Sequence, residues 1–290
     1  MRYTHRAPLR WSDLDAQGHV NNSLFVDYLQ EARTGFLLSG PVPELLDTGV
    51  IVVSHSVEYL AAMEYSTEPV EIGLGVCRLG GARFELDYQV RHEGEPKARA
   101  RTLLCPFDFD AQAPRRLTEA ERAYFASHRV EAEPFRDLTS PRLGGRGYAT
   151  EVPVRWSDLD RYGHVNNVKF FDYVQQARIE MTTAVDPGMA RAGAGVRASH
   201  TWLIARQDLS YLAQLDHRLE PYRMVTAPVK LGRTSITLGA ELCDGDTLFA
   251  RAATVLVCAD TAGNPTELPD ETRHRLSQWL VTTTEGDEYD

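Results

Sequence analysis

The organisation of the chain is decided by a stretch that occurs twice. Residues 10–33 read RWSDLDAQGHVNNSLFVDYLQEAR, and residues 155–178 read RWSDLDRYGHVNNVKFFDYVQQAR. Aligned without a gap at an offset of 145, the two stretches are identical at 17 of 24 positions. Similarity continues more weakly at an offset near 152, where Leu79-Gly80 matches Leu231-Gly232. Chance does not produce such agreement, so the sequence predicts one ancestral domain written twice.

Each copy carries the same order of predicted elements. Apolar residues at helical spacing predict long helices over Leu24–Leu38 and Val168–Val185, and Asn22 and Asn167 stand where the N-caps would be. A short strand precedes the loop in each copy, at Tyr3–Trp11 and Tyr148–Trp156. A surface helix closes each copy, at Thr118–His128 and Pro269–Val281. Runs rich in Val, Ile, Tyr and Thr predict the remaining strands; they are Val50–Ala61, Val70–Leu79, Ala82–His92, Lys97–Asp108, Thr201–Ala213, Tyr222–Leu231, Ser235–Cys243 and Thr247–Ala259.

One long helix followed by antiparallel strands is an α+β plan, in which a curved sheet wraps a long central helix. We therefore predict an N-terminal domain over residues 1–128 and a C-terminal domain over 148–281. Residues 129–147 are rich in Pro and Gly and predict a linker. Residues 282–290 predict a solvated acidic tail, and the Gly/Ala-rich stretch Gly188–Ala198 is expected to form or gate a pocket.

The charge and the cysteines limit the functional class. The net charge is −10 and no basic cluster is present, which argues against nucleic acid. No stretch approaches the roughly 18 apolar residues that span a bilayer, and no apolar run follows the basic N-terminal residues, so we expect a cytoplasmic protein without membrane partners. The cysteines at 77, 105, 243 and 258 lack the spacing of a metal site. Neither a metal nor a cofactor is predicted.

The repeated block places an acid, a histidine and two asparagines in one loop directly before a helix. A carboxylate in this position can attack a carbonyl or activate water, while the N–H groups of the helix start stabilise the negative charge on the carbonyl oxygen. A glycine in each loop allows a tight turn. The candidate residues are Asp15, Gly18, His19, Asn21 and Asn22 in the first copy and Asp160, Gly163, His164, Asn166 and Asn167 in the second.

The pattern Trp-Ser-Asp-Leu-Asp-x-x-Gly-His-Val-Asn-Asn, followed by Phe and by Asp-Tyr on a helix, resembles the hotdog thioesterases. It is similar to the 4-hydroxybenzoyl-CoA thioesterase family and closer still to the plant acyl-ACP thioesterases, which are tandem hotdogs. The resemblance implies two tandem hotdog domains that hydrolyse an acyl thioester.

The same resemblance implies roles for individual residues. The catalytic carboxylate of the first family maps onto Asp15 and Asp160, and the backbone N–H that polarises the thioester carbonyl maps onto Asn22 and Asn167. The active-site histidine of the plant family is kept here as His19 and His164. The active-site asparagine of that family is replaced; its position holds Gln17 and Tyr162.

Several of these residues also have a purely structural interpretation. Asp13 and Asp158 are expected to cap the turn or to pair with arginine, since aspartate favours local hydrogen bonds. Asn21 and Asn166 are expected to organise the loop. The helix aromatics Phe25, Tyr28, Phe170 and Tyr173 are expected in the core.

The leading hypothesis is hydrolysis of an acyl-coenzyme A thioester by catalytic Asp15, Asp160, His19 and His164. The alternatives are an acyl-ACP thioesterase, a hotdog enoyl-CoA hydratase and a non-catalytic acyl-CoA-binding module. The hydratases place Asp and His five residues apart, whereas the spacing here is four. The predicted partner is the acyl-CoA or acyl-ACP substrate, and association of chains into a homo-oligomer stays open.

Overall fold

A computed structural model describes residues 1–40, 44–138, 141–189 and 200–282 of the 290-residue chain. The predicted pocket segment Gly188–Ala198 lies outside the described residues from residue 190 onward, as does the acidic tail from residue 283. The chain divides into two compact units, residues 1–136 and 137–290. The division falls within the stretch predicted as a linker.

The first unit contains one long helix and an antiparallel sheet. Its helices are α1 (Phe25–Ser39), α2 (Glu44–Thr48) and α3 (Glu119–Ser127), and its strands are β1 (Tyr3–Ala7), β2 (Val50–Tyr59), β3 (Val70–Leu79), β4 (Phe84–His92), β5 (Glu95–Asp108) and β6 (Ala113–Pro114). The strand order is β1-β3-β4-β5-β2, with the short β6 paired to β5. All of these pairings are antiparallel.

The second unit repeats this plan. Its helices are α4 (Lys169–Val185) and α5 (Asp270–Ser277), and its strands are β7 (Tyr148–Val152), β8 (Thr201–Tyr211), β9 (Tyr222–Leu231), β10 (Ser235–Asp244) and β11 (Thr247–Ala259). The strand order is β7-β9-β10-β11-β8, which is the order of the first unit element for element. The repeat seen in the sequence is therefore a repeat of topology.

The long helix of each unit packs against the strand that precedes the loop and against the strand beside it. Helix α1 packs against β1 and β3, and α4 packs against β7 and β9. Phe36 of α1 is fully buried and stacks on Tyr124, while the closing helix α3 adds Phe125, which stacks on Phe84 of β4 at 4.2 Å. Large apolar rings thus fill the space between helix and sheet, which is the main source of stability in such a layer.

The stretch predicted as a linker is held at both ends. Val130 N donates to Val76 O of β3 (3.0 Å), and the Phe135 ring lies under the guanidinium of Arg99 at 4.7 Å. Near the other end, the buried carboxylate of Glu241 accepts the backbone N–H of Leu143 at 3.1 Å. The described residues at its N-terminal end therefore pack on the first unit, and those near its C-terminal end pack on the second.

The predicted elements occur at nearly the predicted positions, with ends that differ by a few residues. The lead-in strands are shorter than predicted because Trp11–Asp13 and Trp156–Asp158 form turns of 3-10 helix. Helix α2 and strand β6 were not predicted, since five and two residues are too few to show a period. Among the described residues, no helix has the length and apolar composition to cross a membrane.

The packing of α3 gives a test of the fold. Phe125→Ala should lower the free energy of unfolding by about 3–5 kcal/mol, because a large buried ring is lost and a cavity remains. Urea denaturation followed by circular dichroism measures this. Glu119→Ala, an exposed change in the first turn of the same helix, is the control and should cost less than about 1 kcal/mol. Equal effects of the two changes would contradict the core position of α3.

Candidate active site

The candidate loop of the first unit is attached to α1 through a buried carboxylate. Asp13 is 2% exposed, and its carboxylate accepts a hydrogen bond from Arg10 Nε (3.0 Å) and another from the hydroxyl of Tyr28 on α1. Burial raises the pKa of Asp13, but the hydrogen bonds from Tyr28 and Arg10 outweigh it, so the pKa lies below its usual value. The prediction that Asp13 pairs with arginine and caps the turn is confirmed.

The second unit contains the same attachment. The carboxylate of Asp158 accepts the backbone N–H of Arg155 (2.9 Å) and the hydroxyl of Tyr173 on α4 (2.7 Å). Burial and this hydrogen bond raise the pKa of Tyr173, so its hydroxyl remains a donor. The two loops are therefore held to their helices by equivalent pairs of residues.

A tight turn follows this attachment in each loop. Asp15 N donates to His19 O (2.7 Å), and Gly18 N donates to Asp15 O (3.0 Å). Gly18 and Gly163 both have φ of +84°, and no heavy atom lies within 4 Å of where a Cβ would be. Glycine is thus required by the backbone conformation rather than by crowding.

The turn presents the carboxylate of Asp15 with one oxygen bound and the other available. Oδ1 accepts the backbone N–H groups of Gln17 (2.8 Å) and His19 (3.2 Å). Oδ2 accepts no hydrogen bond from the residues that the structure describes. In the second unit, Asp160 Oδ1 accepts the N–H of Tyr162 at 2.8 Å. The carboxylate is therefore oriented by its own loop while keeping an oxygen for a ligand.

His19 and His164 lie in the same turns as these carboxylates. His19 contacts Asp15 through its backbone N–H, and within the described parts of the chain its ring makes no hydrogen bond. His164 Nε2 lies 4.0 Å from Asp216 Oδ1. Each histidine is half-buried. For Asp15 and His19, within the residues described, the contact is therefore between the carboxylate and the backbone and not between the two side chains.

The capping residues differ from the prediction. Asn21 caps a turn of 3-10 helix, Asn22–Leu24, that leads directly into α1, and neither α1 nor α4 has a side-chain cap of its own. Asn21 Oδ1 accepts the N–H of Ser23 (3.2 Å), and Asn166 Oδ1 accepts the N–H of Val168 (3.4 Å). The prediction that Asn22 and Asn167 are the capping side chains is therefore wrong. The physical reason is that the N–H of Asn21 bonds to Asp13 O (2.8 Å), which holds Asn21 in the extended conformation that a cap residue needs.

Asn22 contributes through its backbone instead. Its carbonyl accepts the hydroxyl of Tyr59 (2.9 Å), and the carbonyl of Asn167 accepts the hydroxyl of Tyr211 (2.7 Å). The N–H of Asn22 has no acceptor among the residues described. An unsatisfied N–H at the start of a helix is suited to binding a carbonyl oxygen that gains negative charge.

Asp15 lines a cleft of about 630 Å³ in the first unit. Its walls are Trp11, Leu14, the turn Asp15–His19, Glu64 and Tyr65. His19 and Glu64 are neighbours across an antiparallel bridge. Glu64 and Tyr65 were missed from the sequence, although the offset of 152 aligns them with Asp216 and His217, which lie beside His164 and Trp156 in the second unit.

The cysteines are not candidates for catalysis. All four are free thiols, and burial raises the pKa of Cys77 to about 12, which suppresses the reactive thiolate. In the part of the chain that the structure describes, no cluster of His, Cys, Asp and Glu has an arrangement that could hold a metal ion.

Two segments of the chain, residues 9–134 and 154–276, match the family model of the thioesterase-like superfamily. The chain belongs to this superfamily. Each segment contains one copy of the loop, so both units are thioesterase-like domains. A protein of Aquifex aeolicus provisionally named an esterase is 30% identical over 109 residues, which are 36% of this chain and 84% of that protein.

Two solved structures of similar fold match the chain over nearly its whole length. A 12:0-ACP thioesterase from Umbellularia californica superposes with a TM-score of 0.68 at 18% identity, covering 89% of this chain and 97% of that one. An acyl-ACP thioesterase from Bacteroides thetaiotaomicron gives a TM-score of 0.66 at 12% identity, covering 88% and 97%. The predicted hotdog α+β fold, the predicted family and the predicted class of enzyme, a thioester hydrolase, are confirmed.

The buried Asp13 gives this thioesterase-like chain a pH-dependent contribution to stability. Because the pKa of Asp13 is lowered on folding, its contribution is present above the ordinary carboxyl pKa near 4 and is lost as the pH falls through the lowered value. Asp13→Asn should therefore cost about 1.5–3 kcal/mol at pH 7 and less at pH 3.

Urea denaturation of the variant and the wild type at both pH values measures this difference. Asp110→Asn, which changes an exposed carboxylate, is the control and should behave as the wild type at both. A cost for Asp13→Asn that is the same at pH 3 and pH 7 would contradict the assignment.

Proposed function

We propose that this chain hydrolyses acyl-coenzyme A, giving a free acid and coenzyme A thiol. The observation that carries the proposal is the pairing of two free groups in one loop. Asp15 keeps Oδ2 for a ligand in the cleft, and the N–H of Asn22 is unsatisfied at the helix start. Hydrolysis of a thioester needs a base or nucleophile on one side of the carbonyl and a donor for its oxygen.

In this proposal the thioester carbonyl lies between the carboxylate of Asp15 and the N–H of Asn22. The carboxylate either activates a water molecule that attacks the carbonyl carbon or attacks that carbon itself. In the second case the C–S bond breaks and a mixed anhydride forms, which water then hydrolyses to the free acid. In both cases the N–H stabilises the charge on the oxygen. His19, at the edge of the same cleft, delivers a proton to the departing thiolate. Gly18 allows the tight turn, and Asn21 caps the 3-10 turn that leads into α1. Asp160, Gly163, His164, Asn166 and Asn167 have the same roles in the second unit.

The choice of coenzyme A as the carrier is supported by the charge of the surface helices. Acyl carrier protein is acidic and docks on basic surfaces. None of the five described α-helices has more Lys and Arg than Asp and Glu. Acyl carrier protein is the second candidate, because two proteins of the same fold are an acyl-ACP thioesterase and a 12:0-ACP thioesterase.

A cytoplasmic location and the absence of nucleic-acid and membrane partners belong to the same proposal. Four free cysteines support the location, since disulfides are rare in the reducing cytoplasm. Association of chains into a homo-oligomer stays a prediction, and the molar mass from light scattering tests it.

The catalytic proposal predicts a graded loss of activity. Asp15→Asn and Asp160→Asn should each remove part of the hydrolysis rate, and the double variant should lose at least about a hundredfold, since such assistance is worth ~10²–10⁴-fold. Thiol release from a panel of short, long and aromatic acyl-CoAs measures the rate. Asparagine keeps the side-chain oxygen that accepts the N–H of Gln17, so the loop should keep its shape.

Asp110→Asn is the matched control and should hydrolyse at the wild-type rate. If only one site works, one single variant will match the double variant. A folded double variant that hydrolyses the best substrate at the wild-type rate would refute the proposal. Binding of acyl-CoA without thiol release by the wild type would indicate a binding module, and loss of enoyl-CoA absorbance would indicate a hydratase.

The carrier is tested separately with one acyl group on two carriers. The ratio kcat/KM should be at least about tenfold higher for the acyl-CoA than for the same acyl group on acyl carrier protein. The opposite preference would indicate acyl carrier protein as the carrier and would not affect the proposed roles of Asp15 and Asp160.

A further inference from the structure

Two tryptophans at equivalent positions of the repeat are exposed. Trp11 and Trp156 are 73% and 75% exposed, whereas the other large aromatic side chains of the described chain, apart from Tyr65 and Trp279, are buried or half-buried. Both stand four residues before the candidate carboxylates Asp15 and Asp160. Exposed indole at the edge of a site is typical of a binding surface, since its area is large and its conformations are few.

Each indole is supported by a second ring. Trp11 packs edge to face with Tyr65 at 5.4 Å and 79°, and Trp156 does so with His217 at 5.5 Å and 83°. Tyr65 and His217 are themselves equivalent at the offset of 152. The partner ring fixes the orientation of the indole, while the exposed fraction shows that most of the indole surface stays open to a ligand.

The cleft of the first unit indicates which part of a thioester substrate this surface contacts. Trp11 and Tyr65 share the cleft with Asp15 and Glu64, and its lining includes two carboxylates and no Lys or Arg. Such a lining repels phosphate groups. It suits an uncharged chain that has apolar groups and amides, because the rings offer apolar area and the turn offers polar groups.

We propose that Trp11 with Tyr65, and Trp156 with His217, hold the pantetheine arm of the substrate. This arm is uncharged, has two amides and a pair of methyl groups, and is common to coenzyme A and acyl carrier protein. Trp11 and Asp15 are four residues apart, so their Cα atoms are at most roughly 14 Å apart. Both residues line the same cleft, so the indole is placed for the part of the arm next to the thioester, and the two carboxylates of the lining repel the phosphates. The inference rests on the proposed thioester hydrolysis.

The test uses one acyl group on three thiols of decreasing size, which are coenzyme A, pantetheine and N-acetylcysteamine. Trp11→Leu/Trp156→Leu should lower kcat/KM for the first two, relative to the third, by about tenfold. Trp11→Phe/Trp156→Phe keeps a ring and should lose less. Trp279→Leu removes an indole outside the loops and should leave the relative values as in the wild type.

Two outcomes of the kinetic test would overturn the inference. A loss confined to acyl-CoA would place the nucleotide on the indole, and an equal loss for all three substrates would indicate a structural or acyl-binding role. A second readout, quenching of tryptophan fluorescence by pantetheine itself, does not depend on turnover. Quenching in the wild type that is absent from the leucine variant would support the surface even if no thioester were hydrolysed, in which case the proposed function alone fails. Quenching equal in both would refute the surface.

Discussion

A buried carboxylate joins the candidate loop to the central helix in each unit. The carboxylate of Asp13 accepts a hydrogen bond from the hydroxyl of Tyr28, and that of Asp158 accepts one from the hydroxyl of Tyr173. Both aspartates also hold the turn before the loop. Because a buried carboxylate that loses its donors is costly, this interaction fixes the loop relative to the helix. The position of the turn that carries Asp15, and of Asp160 in the second unit, depends on it.

The buried Asp13 influences both groups of the proposed chemistry, the N–H of Asn22 and the carboxylate of Asp15. The carbonyl of Asp13 accepts the N–H of Asn21 (2.8 Å), which sets Asn21 as the cap and leaves the N–H of Asn22 without a described acceptor. Between them, the turn directs Oδ1 of Asp15 to backbone N–H groups and frees Oδ2. A structural aspartate and a candidate catalytic aspartate two residues apart thus have different tasks because one is buried and bonded and the other lines a cleft.

Much of the fold could be predicted from the sequence because the repeat marks the elements twice. The strands Val70–Leu79, Tyr222–Leu231 and Thr247–Ala259 have the predicted bounds, since each ends at a clear turn signal. The cap residue could not be predicted, because it depends on a hydrogen bond between Asn21 and Asp13. Glu64 and Tyr65 were missed because they enter the cleft from a segment about 45 residues further along the chain, and only the folded chain brings them to the loop.

We infer that the buried attachment to the helix makes the loop competent for hydrolysis. The most direct test is the kcat for acyl-CoA hydrolysis by Tyr28→Phe/Tyr173→Phe, which removes two hydroxyl groups and keeps both rings and every residue of the two loops. We expect kcat to fall by about tenfold or more in a protein that stays folded by circular dichroism, because the loops lose their fixed position. A folded variant with the kcat of the wild type would contradict it.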